Sequence, residues 1–358
     1  MRFDYDTSYH DAKRLLRYPA QKAAYALLIL ALAAAPWLLP KYYVGELTYL
    51  FILSIASLGL MVLSGYTGQV SLGHAAFLAV GAYTHAWLLT QGLPWMVCVA
   101  LAMLMSALIG LLLGLPAIRV SGLYLAMVTL AFAMLIEHVL GRWKQVTGGF
   151  NGLAVPDPVV MGANLSGLKP FYFLCLGGLV ITLVLLVNLM RGKTGRAFVG
   201  VRDSEAAAAG LGIWVAGYKV LAFVISAAIC GFAGALLAHH VRHITPEGFS
   251  LLLSLELVLM VTIGGLGSLR GAILGAVLIG LVPSFISQIK PLLGDQIAKQ
   301  FGLEIFFFGF ILAVFVLFEP KGLNGRWLKI KAFFETFPLY RKDVFRRGKT
   351  YMKSERYR

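Results

Sequence analysis

The chain has 358 residues, of which 59% are hydrophobic and 13% charged, and its mean hydropathy is +0.81. This composition excludes a water-soluble globular protein, because several apolar runs reach the roughly 20 residues with which a helix crosses a bilayer. The runs are too long for barrel strands, so helices that satisfy their own backbone are expected. The net charge of +15 does not indicate a nucleic-acid-binding protein, since twelve of the 31 Lys and Arg follow Pro320, where Asp and Glu number three.

The apolar runs predict an all-α polytopic membrane protein with about ten transmembrane helices. In chain order they cover 23–39, 44–63, 64–89, 95–114, 122–140, 171–190, 220–240, 250–263, 263–289 and 303–318. The first run predicts an uncleaved span, because the residues before it are too many and too acidic for a signal peptide. Residues 23–319 would then form the transmembrane domain.

Charge at the loops predicts which ends face the cytoplasm. Lys and Arg collect at Arg119, in the segment 191–219, at Arg270 and in the tail 320–358, and short cytoplasmic connections are rich in these residues. With about ten spans, this places both termini inside, residues 1–22 as a cytoplasmic arm and 320–358 as a basic tail. The tail carries a net charge of +9 and is expected to face anionic lipid or, alternatively, another protein.

Two glycine clusters interrupt the apolar pattern. The first contains Gly65, Gly68 and Gly73, and the second contains Gly264, Gly265 and Gly267. Glycine is a poor residue inside a helix, so both clusters predict helix breaks with a candidate gating role. At an offset of 197 residues, Gly68, Ser71, Leu72, Ala75, Ala79 and Val80 fall on identical residues. The match indicates an internal repeat of the kind common in transporters, or a coincidence of abundant small residues.

Polar side chains in the apolar runs are candidates for a substrate pathway: Ser64, Thr67, Gln69, Ser71, His74 and Glu256. A carboxylate inside a span is costly, so Glu256 is a functional hypothesis by default, either contacting a substrate ammonium or holding a gating segment. The alternative is that it pairs with a polar group of the bundle. His74, His85, His239 and His240 are candidate proton relays, although structural hydrogen bonding is the simpler interpretation.

Catalytic and cofactor chemistry has little support in the sequence. Gly192-Lys193-Thr194 resembles the end of a P-loop but lacks the strand and the glycine-rich cradle before it. Cys98, Cys175 and Cys230 lie in apolar runs without metal-ligand spacing. We therefore expect no enzyme activity, no metal site and no cofactor bound by this chain.

The segment 191–219 is the longest polar interruption inside the chain. It contains Arg196, Arg202, Asp203 and Glu205 and a short helix-forming block at 204–209. Its alanines permit close seating against a partner, and acidic residues in a first helical turn interact favourably with the helix dipole. We interpret the segment as the element through which another protein drives the membrane domain.

Five stretches carry a resemblance to a known family: SGYTGQVSLGHAAFLAVGAY at 64–83, LPAIRVSGLYLAMVTLAFA at 115–133, VTGGFNGL at 146–153, TGRAFVGVRDSEAAAAGLGI at 194–213 and LELVLMVTIGGLGSLRGAILGAVLIG at 255–280. In these stretches the chain resembles LivM-type permeases of branched-chain amino acid ABC importers and the wider permease family. The resemblance implies a type II importer fold in the bacterial inner membrane. It also implies three kinds of protein partner: a second, LivH-like permease in a heterodimer, two cytoplasmic ATPases that bind ATP and Mg²⁺, and a periplasmic binding protein. Membrane lipid is the further partner expected from the basic tail.

The same resemblance implies a coupling role for seven residues: Arg196, Arg202, Asp203, Glu205, Ala206, Ala207 and Gly212. Glu205-Ala206-Ala207 with Gly212 is similar to the coupling signature of importer permeases, although the glycine comes one position late. Urea, amides or simple sugars are alternative substrates within the family. A stand-alone secondary transporter is the alternative outside it, and that class would centre on Glu256.

Overall fold

The computed structural model describes residues 19–160, 163–289, 309–310, 313, 317 and 322–336. Its helices are α1 (Pro19–Leu38), α2 (Lys41–Leu60), α3 (His74–Thr90), α4 (Trp95–Ala117), α5 (Leu123–Arg142), α6 (Lys144–Thr147), α7 (Leu168–Arg191), α8 (Lys193–Asp203), α9 (Glu205–Gly210), α10 (Val215–Val241), α11 (Leu251–Gly264), α12 (Leu269–Gly280), α13 (Val282–Ile289) and α14 (Gly322–Thr336). Two-residue strands pair antiparallel, β1 (Leu153–Ala154) with β4 (His243–Ile244) and β2 (Val159–Val160) with β3 (Ala163–Asn164).

Within the described residues, seven helical segments are long and apolar enough to cross a membrane. They are Lys41–Tyr66, Trp95–Ala117, Leu123–Arg142, Leu168–Arg191, Val215–Val241, Pro246–Gly264 and Leu269–Ile286. A helical multi-pass membrane protein is thereby confirmed, whereas the count of ten stays a prediction. The first run forms a shorter apolar helix at Lys22–Leu38, and most of the run 303–318 lies outside the described residues.

The centre of the bundle is a close contact between α10, α2 and α3. Ser226 of α10 donates to Gly59 O at 2.7 Å, and the Cys230 thiol one turn later faces Ala56 O at 3.6 Å, so α2 and α10 are antiparallel. The backbone of Gly81 on α3 lies so close to Gly231 on α10 that no Cβ fits between them. Small residues thus let three helices approach as they do in other membrane bundles.

Both glycine clusters end helices in the structure. A π-helix at Met61–Tyr66 extends α2, residues 68–73 are non-helical, and α3 begins only at His74. The expected third run, 64–89, is therefore not one helix, because Gly68 takes φ +71, a backbone conformation that side chains with a Cβ disfavour. The second break has the same origin, with φ +108 at Gly265 and +82 at Gly267.

Reciprocal hydrogen bonds join the two broken segments. Ser57 Oγ donates to Ala272 O at 3.2 Å, and Ala75 N donates to Ser254 Oγ at 3.0 Å. Ser57 and Ser254 are 197 residues apart, and so are Ala75 and Ala272. The two hydrogen bonds therefore join equivalent positions of the two segments. The α2–break–α3 and α11–break–α12 units are therefore a structural repeat, and both run in the same direction across the bundle.

The segment 191–219 is helical and not a loop with one short helix. Ala197, Phe198 and Val201 bury one face of α8, which explains why 193–203 also folds as a helix. Asp203 ends α8, so it does not belong to the first turn of α9 as expected. Lys219, expected in the loop, lies in the second turn of α10 and is only 5% exposed.

The tail begins with a helix that meets the second break. Gly322, with φ +65, starts α14 so close to Gly265 that a Cβ would lie 2.6 Å from the Gly265 nitrogen. Leu323 packs against the core. The start of the basic tail is thus part of the folded bundle, and residues 337–358 lie outside the described residues.

Candidate coupling and transport site

A capped helix and a glycine turn build the exposed element α9. Ser204 is its N-cap and accepts from Ala207 N at 3.2 Å, which satisfies one of the free N–H groups of the first turn. Gly212 has φ +78, and Ile213 N beyond it donates to Ala208 O at 3.0 Å. Glycine is favoured at such a helix end because it adopts the left-handed conformation without strain.

The Glu205 carboxylate is tied to α10. Its Oε1 lies 2.6 Å from Nζ of Lys219, whose side chain is 6% exposed against 52% for Glu205. The Lys219 carbonyl in turn accepts from Nε2 of Gln69 at 3.4 Å. One predicted coupling residue and one predicted pathway residue are therefore joined through Lys219, which the sequence interpretation had placed in a loop.

Arg202 reaches from α8 to both helix breaks. Its Nη1 donates to Gly65 O at 3.1 Å, and its Nε donates to Oδ1 of the neighbouring Asp203 at 3.0 Å. A Cβ on Gly267 would lie 2.9 Å from Arg202 Nη1, and one on Gly68 would lie 3.0 Å from its Cγ. The breaks also touch each other, since Gly267 N donates to the Met61 sulfur at 3.3 Å. Arg202 thus lies where the two halves of the repeat meet.

The polar residues of the first break form two connected groups. Thr67 Oγ1 accepts from Gln69 Nε2 at 3.1 Å, and Ser64 Oγ donates to Gln69 O at 3.1 Å. Gln69 is 5% exposed, and its Oε1 has no hydrogen-bond partner within the described part of the chain. Buried polar atoms normally have partners, so this oxygen is an exception within the first break.

The second polar group is centred on His74, the first residue of α3. The fully buried ring contacts Ser71 Oγ through Nδ1 at 2.9 Å and Ser226 Oγ through Nε2 at 2.8 Å. Gly73 precedes it, and a Cβ added to Gly73 would lie 2.5 Å from the Thr129 carbonyl oxygen. Both ring nitrogens are occupied by hydroxyls, so the structure gives His74 the geometry of a structural hydrogen-bonding residue.

Glu256 is the candidate pathway residue on α11. It is half-buried on α11, and its carboxylate is close enough to Tyr49 on α2 to interact with it electrostatically. Ser254, two residues earlier on the same helix, accepts from Ala75 N at 3.0 Å, so this part of α11 packs beside the start of α3. A role of Glu256 in a substrate pathway stays a prediction.

Apolar side chains surround the exposed face of α9. Ala206 and Ala207 are exposed, and Leu211 and Trp214 just beyond the helix are 82% and 76% exposed. Arg196 on α8 is exposed too, with its Nη1 3.4 Å from Arg191 O. Sequence reasoning missed Leu211 and Trp214, although two bulky apolar residues beside Gly212 in a polar stretch were a visible signal of a contact surface.

Other chemistry is not assembled in the described residues, where no group of three His, Cys, Asp or Glu could hold a metal ion. The fold and this site define a class: a polytopic membrane protein with a helical element held against two broken spans. Residues 42–318 match the family described as "Branched-chain amino acid transport system / permease component". The chain belongs to this family, which confirms the resemblance found in the sequence.

Individual relatives agree with the family assignment. The chain is 33% identical over 324 residues to the "high-affinity branched-chain amino acid transport system permease protein LivM" of Escherichia coli, covering 83% of this chain and 73% of that protein. It is 24% identical to the probable permease LivH of Methanocaldococcus jannaschii, over 82% of this chain and 95% of that protein. It is 27% identical to the autoinducer 2 import permease LsrC of Yersinia enterocolitica, over 74% and 75%. No solved structure matches the chain.

Proposed function

We propose that this chain is a permease subunit of an ABC importer that moves branched-chain amino acids into the cytoplasm across a bacterial inner membrane. It pairs with a second permease, receives substrate from a periplasmic binding protein and is driven by two ATPase subunits that bind ATP and Mg²⁺. The chain itself is a transport subunit and not an enzyme. Its relatives LivM and LivH are named as permeases of branched-chain amino acid transport, LivH as a probable one.

The observation that carries this proposal is the attachment of α9. The helix presents Ala206, Ala207, Leu211 and Trp214 outward, while its inner side is fixed to α10 by the ion pair of Glu205 with Lys219. Two large apolar side chains exposed together at the end of a surface helix indicate a contact surface for a partner. A displacement of α9 by a bound partner would be transmitted to Gln69 through Lys219. A displacement of α8 would be transmitted to the helix breaks through Arg202.

The orientation follows from the same element. We place α8 and α9 on the cytoplasmic side, where an ATPase would find them. The Arg270 guanidinium lies 5.5 Å from the Tyr25 ring of α1, so it joins the start of α1 to the start of α12 on that side. Both termini are then cytoplasmic, and ten spans remain our expectation for the whole chain.

Co-purification of the ATPase tests this function. The tagged chain is extracted in mild detergent from cells that produce the whole transport system, and bound P-loop ATPase is quantified. Leu211→Ser and Trp214→Ser should each weaken ATPase binding about five- to thirtyfold, because an apolar residue that anchors an interface contributes about 1–2 kcal/mol. Folding should be unaffected, since neither side chain is buried.

Leu38→Ser is the matched control, because Leu38 is 78% exposed and ends α1. This variant should bind the ATPase as the native chain does. Equal loss in all three variants would show a general effect of apolar surface, and undiminished binding in Leu211→Ser and Trp214→Ser would exclude α9 as the docking element.

A further inference from the structure

A cavity of about 160 Å³ lies at the far end of the bundle from α9, where α10 ends and α7 begins. Val215 starts α10 just after α9, and its 27 residues span about 40 Å before the cavity at about 1.5 Å per residue. For comparison, a protein cavity of about 150 Å³ holds benzene. The space therefore suits a small organic molecule.

Hydrogen bonds fix the walls of the cavity. Val155 N donates to Arg242 O at 2.9 Å, which continues the pairing of β1 with β4. His239 lines the cavity and is held by Trp95 Nε1 at 3.0 Å and by His85 Nε2 at 2.8 Å. A site whose walls are fixed before binding loses less entropy when it takes up a ligand.

Arg242 has an unusual backbone at the rim. Its φ is +64, and among the described residues it is the one non-glycine residue with a positive φ. The left-handed conformation is unfavourable for a residue with a Cβ, and helices commonly end on glycine at such a position. Strained positions of this kind cluster at functional sites. Arg242 lines the cavity, and its charged side chain is what a glycine at this position could not supply.

The lining matches a zwitterion with an aliphatic side chain. Arg242 offers a guanidinium that binds a carboxylate through two hydrogen bonds, Asp157 offers a carboxylate for an ammonium group, and Leu168 and Phe171 supply an apolar wall. A neutral sugar or urea would leave both charges unmatched. We propose that this cavity is an entry site for an aliphatic α-amino acid on the periplasmic side of the permease, an inference that rests on the proposed transport function.

Ligand binding to the full chain in lipid nanodiscs tests the site. The probes are leucine, isovalerate, which lacks the ammonium group, and 3-methylbutylamine, which lacks the carboxylate. Binding is measured by equilibrium dialysis without ATPase or binding protein. Leucine should bind at least about tenfold more tightly than either analogue, since each lost charged hydrogen bond costs about that factor.

Variants assign the two charges separately. Arg242→Gln and Arg242→Gly should lower leucine affinity to that of 3-methylbutylamine, and Asp157→Asn should lower it to that of isovalerate. Arg242→Gly relieves the backbone strain, so its loss of binding cannot be ascribed to misfolding.

Lys169→Gln is the matched control for Arg242. Lys169 is exposed beside Leu168, but its ammonium group lies over the Trp37 ring, 5.5 Å from the ring centre. Glu247→Gln is the control for Asp157, since Glu247 is an exposed carboxylate of the loop after α10.

The outcomes are distinct from those of the ATPase experiment. Equal binding of leucine and its two analogues, or unchanged affinity in both Arg242 variants and in Asp157→Asn, would overturn the entry site while ATPase co-purification could still succeed. Undiminished ATPase binding in Leu211→Ser and Trp214→Ser, together with intact, charge-dependent leucine binding, would instead overturn the docking role of α9.

Discussion

The Lys219 ammonium is buried in α10 and lies 2.6 Å from the half-exposed Glu205 carboxylate of α9. An amine removed from water is costly without a partner, so this pair fixes where α9 lies. Glu205 was expected to face an ATPase as part of a coupling signature. The structure gives it an intramolecular contact, and the exposed apolar residues Leu211 and Trp214 are better placed for a partner.

Removing the Glu205 charge should destabilise the protein. Glu205→Gln leaves the Lys219 ammonium buried without its carboxylate, and we expect a loss of about 2 kcal/mol, below the value for a fully buried pair because Glu205 is half exposed to solvent. Thermal unfolding in detergent measures it. The double variant Glu205→Gln, Lys219→Met should recover most of the loss, and a purely additive cycle would contradict the pairing.

Arg202 should affect coupling more than stability. Arg202→Lys keeps the charge but cannot maintain the contacts with Gly65 O and Asp203 together, because lysine lacks the guanidinium fork. We expect substrate uptake per ATP hydrolysed to fall several-fold in proteoliposomes containing the full complex. Lys193→Arg is the control, because Lys193 is an exposed basic residue of the same helix, and this variant should transport normally. Equal uptake per ATP in both variants would argue against transmission through Arg202.

The glycine contact at the bundle centre gives a stability prediction. Gly81→Ala forces a methyl group against the Gly231 backbone, and overpacking of this kind costs about 1–3 kcal/mol. Gly177→Ala in α7 is the matched control because its added Cβ meets nothing within 4 Å; it should be neutral or gain up to about 1 kcal/mol. Equal unfolding temperatures for the two variants would contradict the close helix approach.

Cysteine labelling can establish the orientation. Cys98, Cys175 and Cys230 are buried, so the native chain should react poorly with a membrane-impermeant maleimide. Leu211→Cys should label in inside-out vesicles and Val159→Cys in intact spheroplasts, because these residues lie near opposite ends of the bundle and are 82% and 49% exposed. The reverse pattern would invert the proposed topology.

The sequence predicted the helical membrane class, the family and the positions of both helix breaks, because long apolar runs and clustered glycines act locally. It could not predict that Lys219 would be buried, since charge pattern alone assigned it to a loop. Nor could it predict that α11 packs against the start of α3, because the bond between Ala75 N and Ser254 Oγ joins residues 179 positions apart. The sequence match at an offset of 197 residues could not by itself distinguish a repeat from coincidence. The hydrogen bonds of Ser57 and Ser254 show that the matching segments are also equivalent in the structure.

The most direct test of the central claim is leucine uptake into proteoliposomes that contain this chain with its co-purified partners and the binding protein. The account predicts uptake only when ATP and Mg²⁺ are present on the α9 side, with no response to an imposed proton or sodium gradient. Uptake that follows an ion gradient without ATP would contradict an ABC importer and would favour a secondary transporter with Glu256 at its centre.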